Sequence, residues 1–514
     1  MTAPSQSVAQ APLEPPGAEA GLRSWMKRLT ENPNPVWTRE LKQSARLTRT
    51  PLILGVITSM MVLLIASIGG ILSATAEPAQ VGIGVFHSFF SLAFAVVTWV
   101  GPAVAANTIA SERSGRTWEA LLLTGLSPST IAKGKFLAAL TYVMLYVVML
   151  APVGGLAFLF GGVTPMEVLL AFVLLGLIAG LSVAFGLAMS SKFNSPAVAI
   201  LVTLFVTVPL SIFAYLLGGV ALSFAVHDLW PAVTRGAPVW LPTAYARADF
   251  GLPYVVILVL FPLLATIVPG WLFYEITIAN MASPSDDRST RLRVWALVCA
   301  PLLTCGMALG RLSLGTLDFY LGAQSLLWLF FVFLAFLIAG EPLGPSLRVQ
   351  ARWARGDHKT AQRWLGPSIG WAGAVTALLS VVCVSALTAV GVFSSSTRDE
   401  RFAALSLGGY AAGFTLFLLG FSTFSRARAQ SSAVPRLALA GALFVALLGP
   451  YIAMAIGGIL TNGPERALLM TAPSPAFAFV VLDQLRSPGG DAELYALAGA
   501  VASVGWGLVG IGLL

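Results

Sequence analysis

Charge is scarce in this sequence, so the side chains that could do chemistry are few. The densest set lies in residues 109–128: Glu112, Arg113, Arg116, Thr117, Trp118, Glu119 and Leu122. Glu112, Arg113, Arg116 and Glu119 mix both signs, while Trp118, Leu121 and Leu122 fall at the i, i+3, i+4 spacing of an apolar helical stripe. Ser127-Pro128 ends the stretch, because proline lacks the N–H that helix continuation needs. Tethered between two apolar runs, such a piece can lie at a membrane surface and present charge to a soluble partner. The same charges also fit a self-paired solvated helix, at about 0.2–0.5 kcal/mol per pair. Glu275 is the one acid well inside an apolar run, in Trp271-Leu-Phe-Tyr-Glu-Ile-Thr-Ile278. An ionisable group there costs about 3 kcal/mol unless paired or hydrated. Its place near the end of the run points to snorkelling, and a gate or substrate contact is the sharper reading.

Other chemistries find no support. His87, His227 and His358 are scattered, and Cys299, Cys305 and Cys383 sit in apolar runs without metal or redox spacing, so no metal site is expected. Asp286-Asp287 are adjacent, and their side chains diverge, unlike a catalytic carboxylate pair. No G-x-x-x-x-G-K-[ST] phosphate loop occurs, nor a polar stretch long enough for an ATPase domain. No catalytic residue is assigned.

The elements that would position these residues can be read from composition. The chain has 514 residues, 57% hydrophobic and 10% charged, against about 25% charged in soluble domains. That is an all-α polytopic membrane protein. The net charge of +8 fits loops facing anionic headgroups rather than nucleic acid. Residues 1–21 read as a disordered tail, rich in Pro, Ala, Gln and Glu, without the apolar core of a signal peptide. Residues 22–50 interleave Trp25, Trp37 and Leu41 with Arg23, Arg39, Lys42 and other cations, as an interfacial amphipathic helix does; Asn32-Pro-Asn-Pro35 places its start near Val36.

Twelve runs reach the roughly 20 residues a bilayer crossing needs: 52–74, 84–108, 134–160, 167–190, 197–225, 253–280, 294–311, 319–340, 369–393, 403–424, 436–460 and 493–513. With both termini in the cytoplasm, 23 of the 30 Lys and Arg, including all six lysines, fall on the cytoplasmic side. The two halves, 51–282 and 283–514, share a plan. In each, a charged cytoplasmic loop (109–135 and 341–368) comes after the second span, and the longest outside loop (226–252 and 461–492) joins the fifth and sixth. Trp240-Leu-Pro-Thr-Ala-Tyr245 and Thr471-Ala-Pro-Ser-Pro-Ala-Phe477 suggest short helices dipping back into the bilayer. A tandem duplication of a six-span unit accounts for this plan.

Asn34-Pro-Val-Trp-Thr-Arg-Glu-Leu41 before the first span, Ser111-Glu-Arg-Ser-Gly-Arg-Thr-Trp-Glu-Ala-Leu-Leu-Leu-Thr124 after the second, and Lys135 at the start of the third together resemble the ABC-2 permease family, the membrane subunits of type 2 ABC exporters. The resemblance covers roughly residues 22–282. It implies an interfacial elbow helix containing Trp37, Arg39 and Glu40, and a coupling helix at 109–128 that docks on a nucleotide-binding subunit. It further implies a separate ABC ATPase, two copies per complex, that carries the ATP and Mg. The chain itself then holds no cofactor and does no bond chemistry. The loop at 341–368 lacks the Glu-Arg…Thr-x-Glu pattern. Family permeases work as pairs of six-span units, so twelve spans imply two ABC-2-like units fused, the second diverged, in a bacterial inner membrane. Apolar span walls favour export or extraction of a lipid-like or amphiphilic substrate. An ion-coupled secondary transporter with twelve spans is the alternative, but it would need mid-membrane ionisable groups beyond Glu275. A polytopic membrane enzyme would need acid or histidine clusters that are missing.

Overall fold

A computed structural model of the chain describes residues 33–45, 49–231, 233, 241–356, 364–461, 468–486 and 492–514. The expected tail at 1–21, the first part of the N-terminal helix region and His358 lie outside these residues. Among the described residues the secondary structure is helical throughout, and twelve helices are long and apolar enough to cross a membrane. The chain is an all-α polytopic membrane protein.

The helices overrun the apolar runs that encode them. The second span occupies Pro78–Ser114, 37 residues, whereas its apolar run covers only 84–108. Once the core of the run is helical, flanking polar residues continue the ladder into the interface, where water satisfies the ends. Prolines at first-turn positions and polar caps set the starts. Ser127 accepts from the Thr130 amide ahead of Pro128–Met149, and Thr397 accepts from the Glu400 amide ahead of Arg398–Arg428. Thr164 and Glu167 form a reciprocal capping box at Pro165–Ser190. The third span is broken near its end: Pro128–Met149 is followed by the short helices Ala151–Gly155 and Ala157–Phe160. The seventh and eighth spans, Thr290–Leu314 and Leu317–Ile338, are joined by a two-residue hairpin in which Gly315 takes the left-handed conformation.

Each half is packed around one span. The fourth span touches the second, third, fifth and sixth; the tenth, Arg398–Arg428, touches the eighth, ninth, eleventh and twelfth. Bare backbone makes these approaches close. A Cβ on Gly186 would overlap the Pro102 backbone, and one on Gly413 would overlap the Ser503 backbone. The sixth span, Leu252–Met281, meets the seventh, and this pair is where the halves join.

Alternation of twelve spans puts the helix Pro35–Ala45, the turns near residues 115–127, 191–195, 282–289 and 340–346, and the C-terminal residue on one face. On the opposite face, Leu241–Arg247 packs on the fourth span, its Ala244 is buried with Val226 and Ile257, and Arg247 pairs with Glu167 at 3.0 Å. Residues 471–478 turn inward likewise: the Tyr410 hydroxyl donates to the Ala472 carbonyl at 2.7 Å, and the Trp506 indole to the Pro473 carbonyl at 2.8 Å. Two π-helical segments, Ala214–Gly218 and Val255–Leu260, bracket this region of the first half.

Candidate functional site

Asn34 builds the first corner of the site. Its side-chain oxygen accepts from the amides of Val36 (3.0 Å) and Trp37 (3.4 Å), capping Pro35–Ala45, while its NH2 donates to the Thr130 carbonyl at 2.8 Å. One residue therefore starts the helix, one position before the expected Val36, and ties it to the third span. Val36 is buried against Gly134, where a Cβ would come within 2.6 Å of the Val36 and Asn34 side chains. The Trp37 indole donates to the Thr141 hydroxyl at 3.3 Å. The N-terminal helix thus lies along the third span.

This placement converges four charges. The Lys135 ammonium, fully buried, sits 3.1 Å from Glu40 and 3.0 Å from Glu112, and donates to the Thr108 carbonyl at 3.4 Å. Arg39 bridges the same carboxylates from the outer side, 3.0 Å from Glu40 and 2.5 Å from Glu112. Burial alone would raise the Glu40 pKa, but the Lys135 charge and the hydrogen bonds from Arg39 and Lys135 outweigh it and hold Glu40 below its usual range. Burial opposes the charge on Arg39 as well, yet its bonds to Glu40 and Glu112 raise it. The second span, the N-terminal helix and the third span are joined at one point.

Beyond Glu112 the chain turns sharply. The amides of Thr117 and Arg116 bond back to the carbonyls of Glu112 (3.0 Å) and Arg113 (3.3 Å), closing the helix with a left-handed residue. That residue is Arg116 at φ 56°, not Gly115, which keeps φ −80°. A left-handed arginine costs about 1 kcal/mol. The segment 109–128 is therefore not one helix: its first part is the end of the second span, and Trp118–Leu123 is a separate short helix. Arg113 lies 5.4 Å over the Trp118 ring, and Leu121 is buried. Arg116, Thr117, Glu119 and Leu123 are exposed, Leu123 by 87%. Glu112 faces inward; the side chain of Leu122 lies outside the described part.

Glu275 is buried and accepts from the Trp271 indole at 3.1 Å, with Arg291 of the seventh span 3.5 Å away. It is thus an ion-paired acid near the end of its span.

The second half has its own charged cluster, which sequence reasoning did not single out. Glu341 accepts from Arg293 (3.3 Å) and the Ser289 hydroxyl (2.5 Å), and its carbonyl accepts from Arg426 (2.7 Å). Burial raises the Glu341 pKa despite the Arg293 charge. Arg293 also donates to the carbonyls of Gly366 (2.6 Å) and Ser368 (2.8 Å). Ser346 caps the helix Leu347–Ala354, whose Arg348 reaches Asp286 at 3.2 Å. Single acids and bases at the ends of apolar runs were the available signal, but it does not say which pair. Among the described residues no group of His, Cys, Asp and Glu could hold a metal ion.

Among the described residues, twelve helices long and apolar enough to cross a membrane surround a fastened charged loop. Residues 60–245 match the family model of the ABC-2 family transporter protein, so the chain carries an ABC-2 transporter domain in its first half. The match takes in the turn at 115–127 and Lys135, and ends within the helix Leu241–Arg247. No curated protein and no solved structure matches the chain.

Proposed function

We propose that this chain is the permease subunit of an ATP-binding-cassette transporter, driven by a separate ATPase that docks on Trp118–Leu123 and the turn before it. Two ATPase copies, which bind the ATP and Mg, serve one chain whose two halves act as fused six-span units in a bacterial inner membrane. The face holding the N-terminal helix and both termini is cytoplasmic. The substrate is lipid-like or amphiphilic, exported or extracted from the bilayer. One observation carries this reading: an exposed patch of Arg116, Glu119 and Leu123 is mounted on a turn whose root, Glu112, is locked to Lys135 and Arg39. Force applied to the patch is delivered to the second and third spans, which is what coupling requires. The likeness in plan between the fourth-span and tenth-span assemblies supports the two-unit reading.

The test is co-purification of the ATPase with Glu119→Arg and Leu123→Asp, which alter the patch and leave the Glu112 cluster alone. The reading expects at least a tenfold loss of bound ATPase with an unchanged melting temperature of the permease. Full retention in both variants overturns it, as does proton-coupled uptake in liposomes by the chain alone. Native mass measurement should give one permease with two ATPases; two permeases with two ATPases would overturn the fused-unit reading.

A further inference from the structure

On the face that carries the N-terminal helix, a cavity of about 650 Å³ opens between the two halves. Its polar wall is drawn from both. Lys192 lies just past the fourth span, Arg288 and Arg293 belong to the link into the seventh, and Arg426 and Arg436 flank the turn between the tenth and eleventh. These five cations share the wall with two carboxylates, Asp286 and Glu341. Both carboxylates are engaged: Asp286 by Arg348 and Arg352, Glu341 by Arg293 and Ser289. Arg426 donates to the carbonyls of Glu341 and Ala429, and Arg288 to those of Ser283 and Ala282.

Lys192 and Arg436 differ from the rest. Among the described residues, neither has a carboxylate within ion-pair distance, and both are exposed at the cavity. Partial burial at the cavity holds the Lys192 pKa below its usual range, and the like charge of Arg436, which lines the same cavity, lowers it further. The Arg436 guanidinium rests on Gly340, where a Cβ would overlap it. Two uncompensated cations contributed by opposite halves make an electrostatic field that an anion relieves. A phosphate group suits it best. Its several strong acceptor oxygens can take a guanidinium fork on one side and the point charge of an ammonium on the other. Gln430, also in the wall, offers a neutral amide for remaining oxygens, and Asn280 a second N–H beside the one it donates to the Ser191 hydroxyl at 2.9 Å. Leu292, Leu334, Leu337 and Ile338 line the cavity beside the polar wall and give an acyl chain an apolar surface to run along.

We propose that this cavity binds a phosphate group of net negative charge, with Lys192 and Arg436 as its principal ligands. Two sources share that chemistry: the headgroup of an anionic phospholipid, and a free phosphate from solution. Basic pockets between spans at a membrane face are suited to the first. The site does not depend on an ATPase.

The experiment uses the full chain in nanodiscs. In one arm, phosphatidic acid is mixed with phosphatidylcholine and the lipid retained by the protein is counted by native mass spectrometry. In the other, inorganic phosphate is titrated into pure phosphatidylcholine discs and thermal unfolding is monitored. At least tenfold preferential retention of phosphatidic acid identifies the lipid source; a phosphate-dependent rise in melting temperature without that preference identifies the free anion. The double variant Lys192→Gln, Arg436→Gln should lose the effect at least tenfold while melting, ligand-free, no lower than the parent, because a repulsion has been removed. Gly340→Ala, which displaces only Arg436, should lose part of it. The proposal is overturned if neither probe binds, or if the double variant binds as the parent does.

Discussion

Glu112 and Glu341 stand just past the apolar parts of the second and eighth spans, each nearly buried against a base from a neighbouring span, but the loops they lead into are held differently. Glu112 is held by side-chain charges alone, Lys135 and Arg39, contributed by two other segments. Glu341 is held by Arg293, which also grips the backbone carbonyls of the loop beyond the eighth span. The first junction leaves its loop free to present Arg116, Glu119 and Leu123. The second straps its loop down, and the basic helix Leu347–Ala354 spends Arg348 and Arg352 on Asp286 in the link between the halves. The loop after the second span thus carries an exposed patch, whereas the loop after the eighth is an inward-facing brace.

The contrast can be broken most forcefully at Lys135. Lys135→Met leaves Glu40 and Glu112 together with Arg39 alone, and should cost about 3 kcal/mol, read as a fall in melting temperature in detergent. A loss under about 0.5 kcal/mol would mean that the junction is not held by charge. Arg293→Gln should cost somewhat less, about 2 kcal/mol, since an amide can still serve a carbonyl while Glu341 takes up a proton. Hydrogen exchange should localise that loss to residues 341–356 and leave 35–45 protected. Arg116→Gly should raise stability by up to about 1 kcal/mol by relieving the left-handed arginine, yet weaken ATPase stimulation; increased stability with full stimulation would remove Arg116 from the contact.

The smallest effect is one of pH, and it has opposite signs in the two places. The Glu40 pKa is depressed on folding. Its contribution is therefore present above the unfolded value of about 4.3 and lost as pH falls through the lower folded value. The Glu341 pKa is raised. Its contribution is full below the unfolded value and lost as pH rises through the folded one. Acidification from pH 6 to 3 should therefore increase exchange in residues 35–45 below about pH 4.3 and leave the backbone near Glu341 equally or better protected. Parallel loosening of both would contradict the assignment.

The spans were legible because hydrocarbon thickness leaves few ways to read a run of 20 apolar residues. Their ends were not, because helices such as Pro78–Ser114 continue into the interface on capping and turn chemistry rather than hydropathy. At the site, the residue types at 34–41, 111–124 and 135 were readable; Ser127-Pro128, expected to end the stretch, instead caps and starts the third span, and the short helix already ends at Leu123. Which charge meets which was not readable: Glu40 and Lys135 lie 95 residues apart, and only the docking of two helices brings them together. The left-handed turn fell on Arg116 rather than on Gly115 beside it, against the preference a reader of sequence would apply. Glu341 and Arg293 each looked like an ordinary loop charge until tertiary packing buried both.

The π-helical segments of the fifth and sixth spans have a consequence for how this membrane domain tolerates change. A π turn holds one residue more than the α ladder on either side of it. The part of the helix beyond it is rotated by about 100° from where an uninterrupted α-helix would put it. Deleting one residue inside an apolar span ordinarily scrambles every lateral neighbour past the cut. Within Ala214–Gly218 or Val255–Leu260 a deletion instead returns the ladder to regular winding, and only the outer end of that span swings. At these two places a gain or loss of length becomes a change of aim, which lets the outer loops of the first half be redirected without disturbing the spans beneath them.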